Sequence, residues 1–180
     1  MRILIDNKFF RFSPTQILAL GFVAIILIGT LLLSLPISTS RGTSMGFIDA
    51  LFQATSAVCV TGLTVVNTAQ DLSIFGQIIT IILIQIGGLG FMTMATMIFL
   101  IAGKRITLRE RLIIQEALNH FSIQGVVKLT KNILATTFIL EGIGAVFLAF
   151  RFIPMFGWIK GIYFSIFHSI SAFCNAGFDL

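Results

Sequence analysis

Residues 46–65 read GFIDALFQATSAVCVTGLTV, and residues 161–180 read GIYFSIFHSISAFCNAGFDL. Aligned without a gap, the two stretches lie 115 residues apart and share six of their twenty positions. The identical pairs are Gly46/Gly161, Phe52/Phe167, Ser56/Ser171, Ala57/Ala172, Cys59/Cys174 and Gly62/Gly177. Each copy is a short apolar stretch that leads into a turn of small residues with one central glycine, and each follows a long hydrophobic span. This layout is typical of a pore loop and predicts a chain that conducts an ion across a membrane.

The composition is too apolar for a soluble domain. Of the 180 residues, 57% are hydrophobic and only 11% are charged, whereas soluble domains average about 25% charged residues. The predicted fold class is therefore an all-α membrane protein. A net charge of +5 can indicate nucleic-acid binding, but the basic residues cluster at the ends of apolar spans, as the positive-inside rule describes. We therefore expect no nucleic acid as a partner.

The lengths of the apolar runs separate spanning helices from re-entrant ones. Residues 15–35 form a run of 21, about 31 Å as a helix, which is enough to cross a bilayer core. Residues 46–58 form a run of 13, about 20 Å as a helix, which is too short to cross and favours a re-entrant pore helix. Residues 59–66 are predicted to be irregular. Residues 74–102 and 132–153 are predicted to be two further spans.

These runs divide the chain into four parts. Residues 1–13 are predicted to be a cytosolic N-terminus, and residues 14–102 the first potassium-channel-like helix–pore loop–helix repeat (repeat one). Residues 103–131 are predicted to be a cytosolic connection, and residues 132–180 a second repeat that lacks its outgoing helix (repeat two). The connection has the spacing of an amphipathic helix; docking of a soluble partner and a solvated loop both remain open.

The basic residues predict the orientation in the membrane. Residues 1–13 hold three Lys or Arg and residues 103–131 hold six, whereas the opposite side has only Arg41, Arg151 and Lys160. The positive-inside rule therefore predicts a cytosolic N-terminus in a multi-pass protein of the plasma membrane, with both glycine turns open to the outside.

The glycine turns are the candidate site. Backbone carbonyls can replace the water shell of a cation if successive ones point at one axis, and glycine adopts the strained backbone that this requires. The candidate selectivity-filter residues are Cys59, Val60, Thr61 and Gly62 in repeat one, and Cys174, Asn175, Ala176 and Gly177 in repeat two. A dehydrated metal cation is the expected ion, held by their carbonyls. Asp179 is a candidate outer-mouth charge. Asp49 and Asp71 fit either attraction of cations or ordinary capping of local structure.

Four other features were interpreted from the residues alone. Cys59 and Cys174 are expected to be small buried packing residues. Glu141 lies near the middle of a span, which indicates either a functional carboxylate or one paired with a neighbouring helix. The stretch QIGGLG at residues 85–90 predicts a bend or a close helix contact, because glycine has no side chain. His168 takes the place of Gln53 and is expected to be packed and hydrogen-bonded.

The motifs FIDALFQATSAVCVTGLTVVNT, QIGGLGFMT and FHSISAFCNAGFDL together resemble the Trk/Ktr/HKT potassium transporter superfamily, and within it the membrane subunit of bacterial Ktr systems. The resemblance implies four helix–pore loop–helix repeats around one pore, with one filter glycine in each, here Gly62 and Gly177. It implies potassium as the ion, since a serine at the first filter position favours sodium in some members, with sodium as a candidate coupling ion. It also implies a homodimer and a cytosolic nucleotide-binding regulatory ring.

Two other functions compete with potassium uptake. One is a two-pore-loop potassium channel subunit that dimerises to complete four walls, although each turn here has a single glycine. The other is a membrane enzyme or receptor, which is disfavoured because the sequence supplies no nucleophile–base pair. We therefore expect no enzymatic activity. Four repeats at this spacing need about 460 residues, so the chain is expected to be part of a longer polypeptide.

Overall fold

The fold was analysed in a computed structural model, which describes residues 14–90, residue 93 and residues 126–180. Within these ranges the chain is helical and contains no strand beyond an isolated bridge between Thr39 and Leu72. The predicted all-α class is therefore confirmed for the described residues. The helices are α1 (Pro14–Leu33), α2 (Phe47–Cys59), α3 (Ile74–Leu89), α4 (Val126–Phe156) and α5 (Trp158–Phe173), with a single 3-10 turn at Pro36–Ser38.

Two of the described helices, α1 and α4, are long and apolar enough to cross a membrane. Their apolar parts are Gln16–Leu33, with a mean hydropathy of 2.6, and Val127–Phe156, with a mean hydropathy of 2.1. Most of their side chains are not buried by the rest of the chain, as expected for helices whose outer faces contact lipid. The predicted helix at 15–35 is confirmed by α1, which begins at Pro14, where proline is well tolerated.

The bounds predicted for the third span, 132–153, were too narrow. Helix α4 is already helical at Val126 and continues through Pro154 to Phe156. Proline removes one hydrogen bond inside a helix, but the helix ends only at Gly157, where φ is +81° and the amide N–H donates to the carbonyl of Ile153 at 2.9 Å. A left-handed glycine of this kind is a common helix end, and it is a stronger stop signal here than the proline.

Helices α4 and α5 form a tight hairpin around Gly157. Only Gly157 separates them as a non-helical residue, since α4 reaches Phe156 and α5 begins at Trp158. The two helices approach closely at Gly161, where an added Cβ atom would lie 2.6 Å from Cα of Ile153. Gly161 therefore has a packing role in repeat two. Its counterpart in repeat one, Gly46, differs: among the described residues an added Cβ atom there would meet the side chain of Asp49 and no backbone.

Small side chains let α2 fit between α1 and α3. Ala50, Ala54 and Ala57 are completely buried and recur at the spacing that places them on one face of a helix. On α1, Gly29 leaves room for the side chain of Leu83 from α3. Because helices with small residues approach one another closely, the short apolar helix α2 is held inside repeat one.

We predict that Gly161→Ala destabilises the protein, while Gly142→Ala does not. The new methyl group at Gly161 overlaps the backbone of α4, and overpacking costs about 1–3 kcal/mol. Gly142 has open space around it, and alanine there favours the helix by about 0.5–1 kcal/mol. Thermal unfolding of the purified full-length protein in detergent checks this, and equal unfolding temperatures for the two variants would contradict the tight hairpin.

Candidate functional site

Helices α2 and α5 end in the same way, with the hydrogen bonds of a Schellman motif. In each repeat, two consecutive amide N–H groups reach back to two carbonyl groups in the last helical turn. The bonds are Val60 to Ala57 (3.3 Å) and Thr61 to Ser56 (3.0 Å) in repeat one, and Asn175 to Ala172 (3.0 Å) and Ala176 to Ser171 (2.7 Å) in repeat two. All four positions correspond at the 115-residue spacing, so the sequence repeat is also a repeat of backbone geometry.

Both turns place positive φ angles at the same two positions. Val60 and Asn175 each have a φ of 56°, and two residues later Gly62 and Gly177 have φ of 73° and 74°. A left-handed conformation is costly for a β-branched residue such as valine, whereas asparagine and glycine tolerate it. An alternation in the sign of φ turns successive peptide groups toward one side. Repeat one therefore adopts this shape although valine at position 60 disfavours a positive φ.

The structure brings the two turns together through their backbones. An added Cβ atom at Gly62 would lie 2.7 Å from the carbonyl oxygen of Ala176 and 3.2 Å from Cα of Gly177. Glycine is thus required at position 62 for two reasons, its φ angle and the lack of space. The predicted filter residues of the two repeats are consequently neighbours. Carbonyl oxygens on adjoining backbones are the type of ligand that a dehydrated alkali cation needs.

Two buried serines support the turns, a role that the sequence analysis did not assign. The hydroxyl oxygen of Ser56 lies 2.9 Å from that of Thr61. The hydroxyl of Ser171 donates to the carbonyl of Phe178 at 2.6 Å and accepts from the Phe178 amide at 3.1 Å. Serine occupies this position in both copies of the repeat, and that identity is the sequence signal that could have found them.

Helix α3 contacts helix α2 and the second turn through the glycines of the QIGGLG stretch. An added Cβ atom at Gly87 would overlap the carbonyl of Val58 in α2, and one at Gly88 would lie 2.5 Å from Sγ of Cys174 in repeat two. The close helix contact predicted for this stretch is confirmed. Helix α3 then ends at Leu89, because Gly90 has a φ of +80°. The later residues of the predicted 74–102 span, apart from residue 93, lie outside the described residues.

Glu141 has the neighbouring-helix partner that the sequence left as one alternative. The side-chain amide of Gln85 in α3 donates to its two carboxylate oxygens at 2.9 and 3.1 Å, and the carboxylate side chain is buried. The hydroxyl of Ser169 in α5 also donates to the Glu141 backbone carbonyl at 2.6 Å. Glu141 therefore links repeat two to repeat one.

The remaining predicted residues divide between local structure and exposed positions. Asp71 accepts a hydrogen bond from the Asn67 amide at 2.9 Å and lies 3.6 Å from Arg41, so it organises its loop. Asp49 lies in the first turn of α2, where an acidic side chain favours the helix. Asp179 is exposed.

The prediction that both cysteines are buried was wrong for Cys59. Cys59 is exposed, and Cys174 is half-buried against Gly88. Cys59 is the last residue of α2, and the neighbours that α1 and α3 cover are Ala57 and Val58. Both thiols are free. Among the described residues, no group of three or more His, Cys, Asp or Glu side chains could hold a metal ion.

Comparison with known proteins finds similarity over almost the whole length of the chain. The model of the TrkH cation transport protein family matches residues 9–180. The chain is 54% identical over 170 residues to the potassium/sodium uptake protein NtpJ of Enterococcus hirae, covering 94% of this chain and 38% of that protein. It is 51% identical over 173 residues to the Ktr system potassium uptake protein B of Bacillus subtilis, covering 96% of this chain and 38% of that protein. The chain thus spans about two fifths of the length of these relatives.

We predict that Gly88→Leu impairs cation transport in the full-length protein far more than Leu83→Ile does. A leucine at position 88 displaces the turn at Cys174, whereas leucine to isoleucine conserves the volume in the core and costs less than about 1.5 kcal/mol. Uptake by cells that depend on the protein, normalised to its membrane abundance, measures the effect. Equal uptake by both variants would contradict a role for the α3 contact in placing repeat two.

Proposed function

This chain belongs to the TrkH family of cation transport proteins, and we propose that it builds two walls of a potassium uptake pore in a Ktr/Trk-type transporter. The proposed filter consists of residues 59–62 in repeat one and residues 174–177 in repeat two. The observation that carries this proposal is the contact between the turns, where the carbonyl of Ala176 lies against Gly62. Two carbonyl-bearing backbones at one place suit a cation that has lost its water.

The helix ends support the same proposal through their charge. Helices α2 and α5 end where the two turns begin, and the C-terminal end of a helix carries a partial negative charge. Both ends therefore favour a cation near the turns. The filter needs no ionised ligand of its own, which agrees with the exposed position of Asp179, two residues after Gly177 in the sequence.

The proposed ion is potassium. The glycine at position 62 is the residue that goes with potassium in the superfamily that the sequence resembles. The printed names of the two relatives support this, since one is a potassium/sodium uptake protein and the other a potassium uptake protein. We propose sodium only as a coupling ion.

The proposed assembly is larger than this chain. Because the relatives are much longer, we propose that further repeats of the same polypeptide supply the other walls. We also propose a homodimer of the full-length membrane subunit and a cytosolic nucleotide-binding ring that regulates it; the resemblance to Ktr systems supports both. We propose that the connection over residues 103–131 contacts this ring. Residues 103–125 of the connection lie outside the described residues. The family match favours this assembly over a dimer of two-pore-loop channel subunits.

We predict that Gly62→Ser in the full-length protein lowers the preference for potassium over sodium at least about tenfold, or lowers potassium uptake to the same extent. Both the left-handed φ and the carbonyl of Ala176 oppose a side chain there, and such backbone strain costs about 1–3 kcal/mol. Uptake of each ion into proteoliposomes measures the preference.

Gly42→Ser is the matched control for this experiment. Gly42 has a similar φ of +68°, but among the described residues, its two chain neighbours aside, no atom lies within 4 Å of an added Cβ atom. This variant shares the strain without the contact between turns, so its transport should match the parent protein. If Gly62→Ser also transports like the parent, residue 62 is not part of a filter.

The proposed orientation gives a separate prediction. A cysteine at Lys104 should not react with a membrane-impermeant maleimide added outside intact cells, because the positive charges place residues 103–131 in the cytosol. A cysteine at Arg41, whose side chain is 81% exposed, should react in the same experiment. Labelling is measured as the increase over the parent protein, since Cys59 is exposed. The reverse pattern would invert the proposed topology.

A further inference from the structure

His168 holds the chain that follows the filter glycine of repeat two. Its Nδ1 atom lies 2.8 Å from the carbonyl oxygen of Phe164, one turn earlier in α5. Its Nε2 atom accepts from the amide N–H of Leu180 at 3.4 Å. Because a carbonyl can only accept and an amide N–H can only donate, the two partners require a neutral ring with its proton on Nδ1.

Aromatic rings fix the orientation of this imidazole. The ring centroid of Phe152 in α4 lies 5.2 Å from that of His168, and the centroids of Phe167 and Phe164 in α5 lie at 6.0 and 6.4 Å. All three pairs meet edge to face, which is a favoured geometry for aromatic rings. The side chain is therefore held by packing as well as by its two hydrogen bonds.

His168 and Ser171 bind the same short segment. They are three residues apart in α5 and so share a helix face. Ser171 bonds both the amide and the carbonyl of Phe178, and His168 bonds the amide of Leu180. Phe178 and Leu180 are alternate residues of the irregular segment over residues 176–180. Together the two side chains tie this segment to the pore helix directly after the filter glycine.

The equivalent position in repeat one is also polar but is used differently. Gln53 is completely buried, and neither polar atom of its side chain has a partner among the described residues. A buried amide without a partner is costly, yet repeat one accommodates it. A glutamine is thus compatible with a pore helix of this fold at the position that His168 occupies.

We propose that His168 is a specificity-determining positioning residue: through its Nε2 atom it holds residues 178–180 so that the turn at Gly177 keeps the shape that selects potassium. This inference rests on the proposed function, because it concerns the same filter. It predicts that losing the bond to Leu180 weakens discrimination between ions while leaving the fold of the pore helix intact.

Two isosteric variants separate the bonds of the ring. In His168→Asn the side-chain amide overlays Nδ1, so the bond to Phe164 is kept and the bond to Leu180 is lost. In His168→Gln the amide oxygen reaches the position of Nε2, so the acceptor for Leu180 is kept. In the full-length protein, His168→Asn should lower the preference for potassium over sodium about threefold to tenfold, the effect of one hydrogen bond, and His168→Gln should stay within about twofold of the parent.

A substitution at the donor residue, Leu180, tests the same bond independently. Leu180→Pro removes the amide donor and should reproduce the loss seen for His168→Asn, and the two changes combined should lose no more than either alone. If His168→Asn does not fold, Leu180→Pro alone decides the question. Uptake of potassium against increasing sodium in proteoliposomes measures the preference. Equal preference in His168→Asn, Leu180→Pro and the parent would overturn the inference, whereas a parent protein that transports no potassium would overturn the proposed function itself.

Discussion

The ends of α2 and α5 impose the constraint on which the other features depend. The chain belongs to a membrane transport family, and a backbone group left unpaired at membrane depth costs several kcal/mol. Two carbonyl groups in the last turn of each helix accept hydrogen bonds from the amides of residues 60 and 61, and of residues 175 and 176. This pairing forces left-handed backbone at Val60 and Asn175, and it starts each glycine turn in a fixed direction. The turns are therefore a consequence of how the helices end.

Helix α3 sets where the two turns lie relative to each other. Its backbone lies directly against the carbonyl of Val58 in α2 at Gly87, and against the side chain of Cys174 in the second turn at Gly88. Its two glutamines add polar links to repeat two: Gln85 donates to Glu141, and Gln77 accepts from the hydroxyl of Tyr163 at 3.0 Å. We therefore expect that displacing one of these contacts changes the distance between the turns.

The sequence predicted the parts of this structure that depend on the internal repeat, on the lengths of the apolar runs and on the positions of the glycines. The repeat located α2, α5 and the two turns, and the glycines at 87 and 88 predicted a close contact that the structure confirms. The sequence did not predict that α4 continues through Pro154. The helix ends at the glycine three residues later, where φ is positive. The packed, hydrogen-bonded state expected of His168 is confirmed. The sequence did not predict its bond to Leu180, the bonds of Ser171 or the exposure of Cys59, because these depend on the direction of each side chain. The cysteines, serines and histidine occupy the same apolar stretch, and spacing alone does not distinguish buried from exposed members.

The central claim is that both turns contribute carbonyl oxygens to one cation site. A crystal structure of the full-length protein grown with thallium, a heavy ion that substitutes for potassium, tests it most directly through the anomalous signal. The account predicts an anomalous peak within coordination distance of carbonyl oxygens from both residues 60–62 and residues 175–177. Peaks that contact only one of these turns, or lie away from both while the protein is active in thallium uptake, would contradict it.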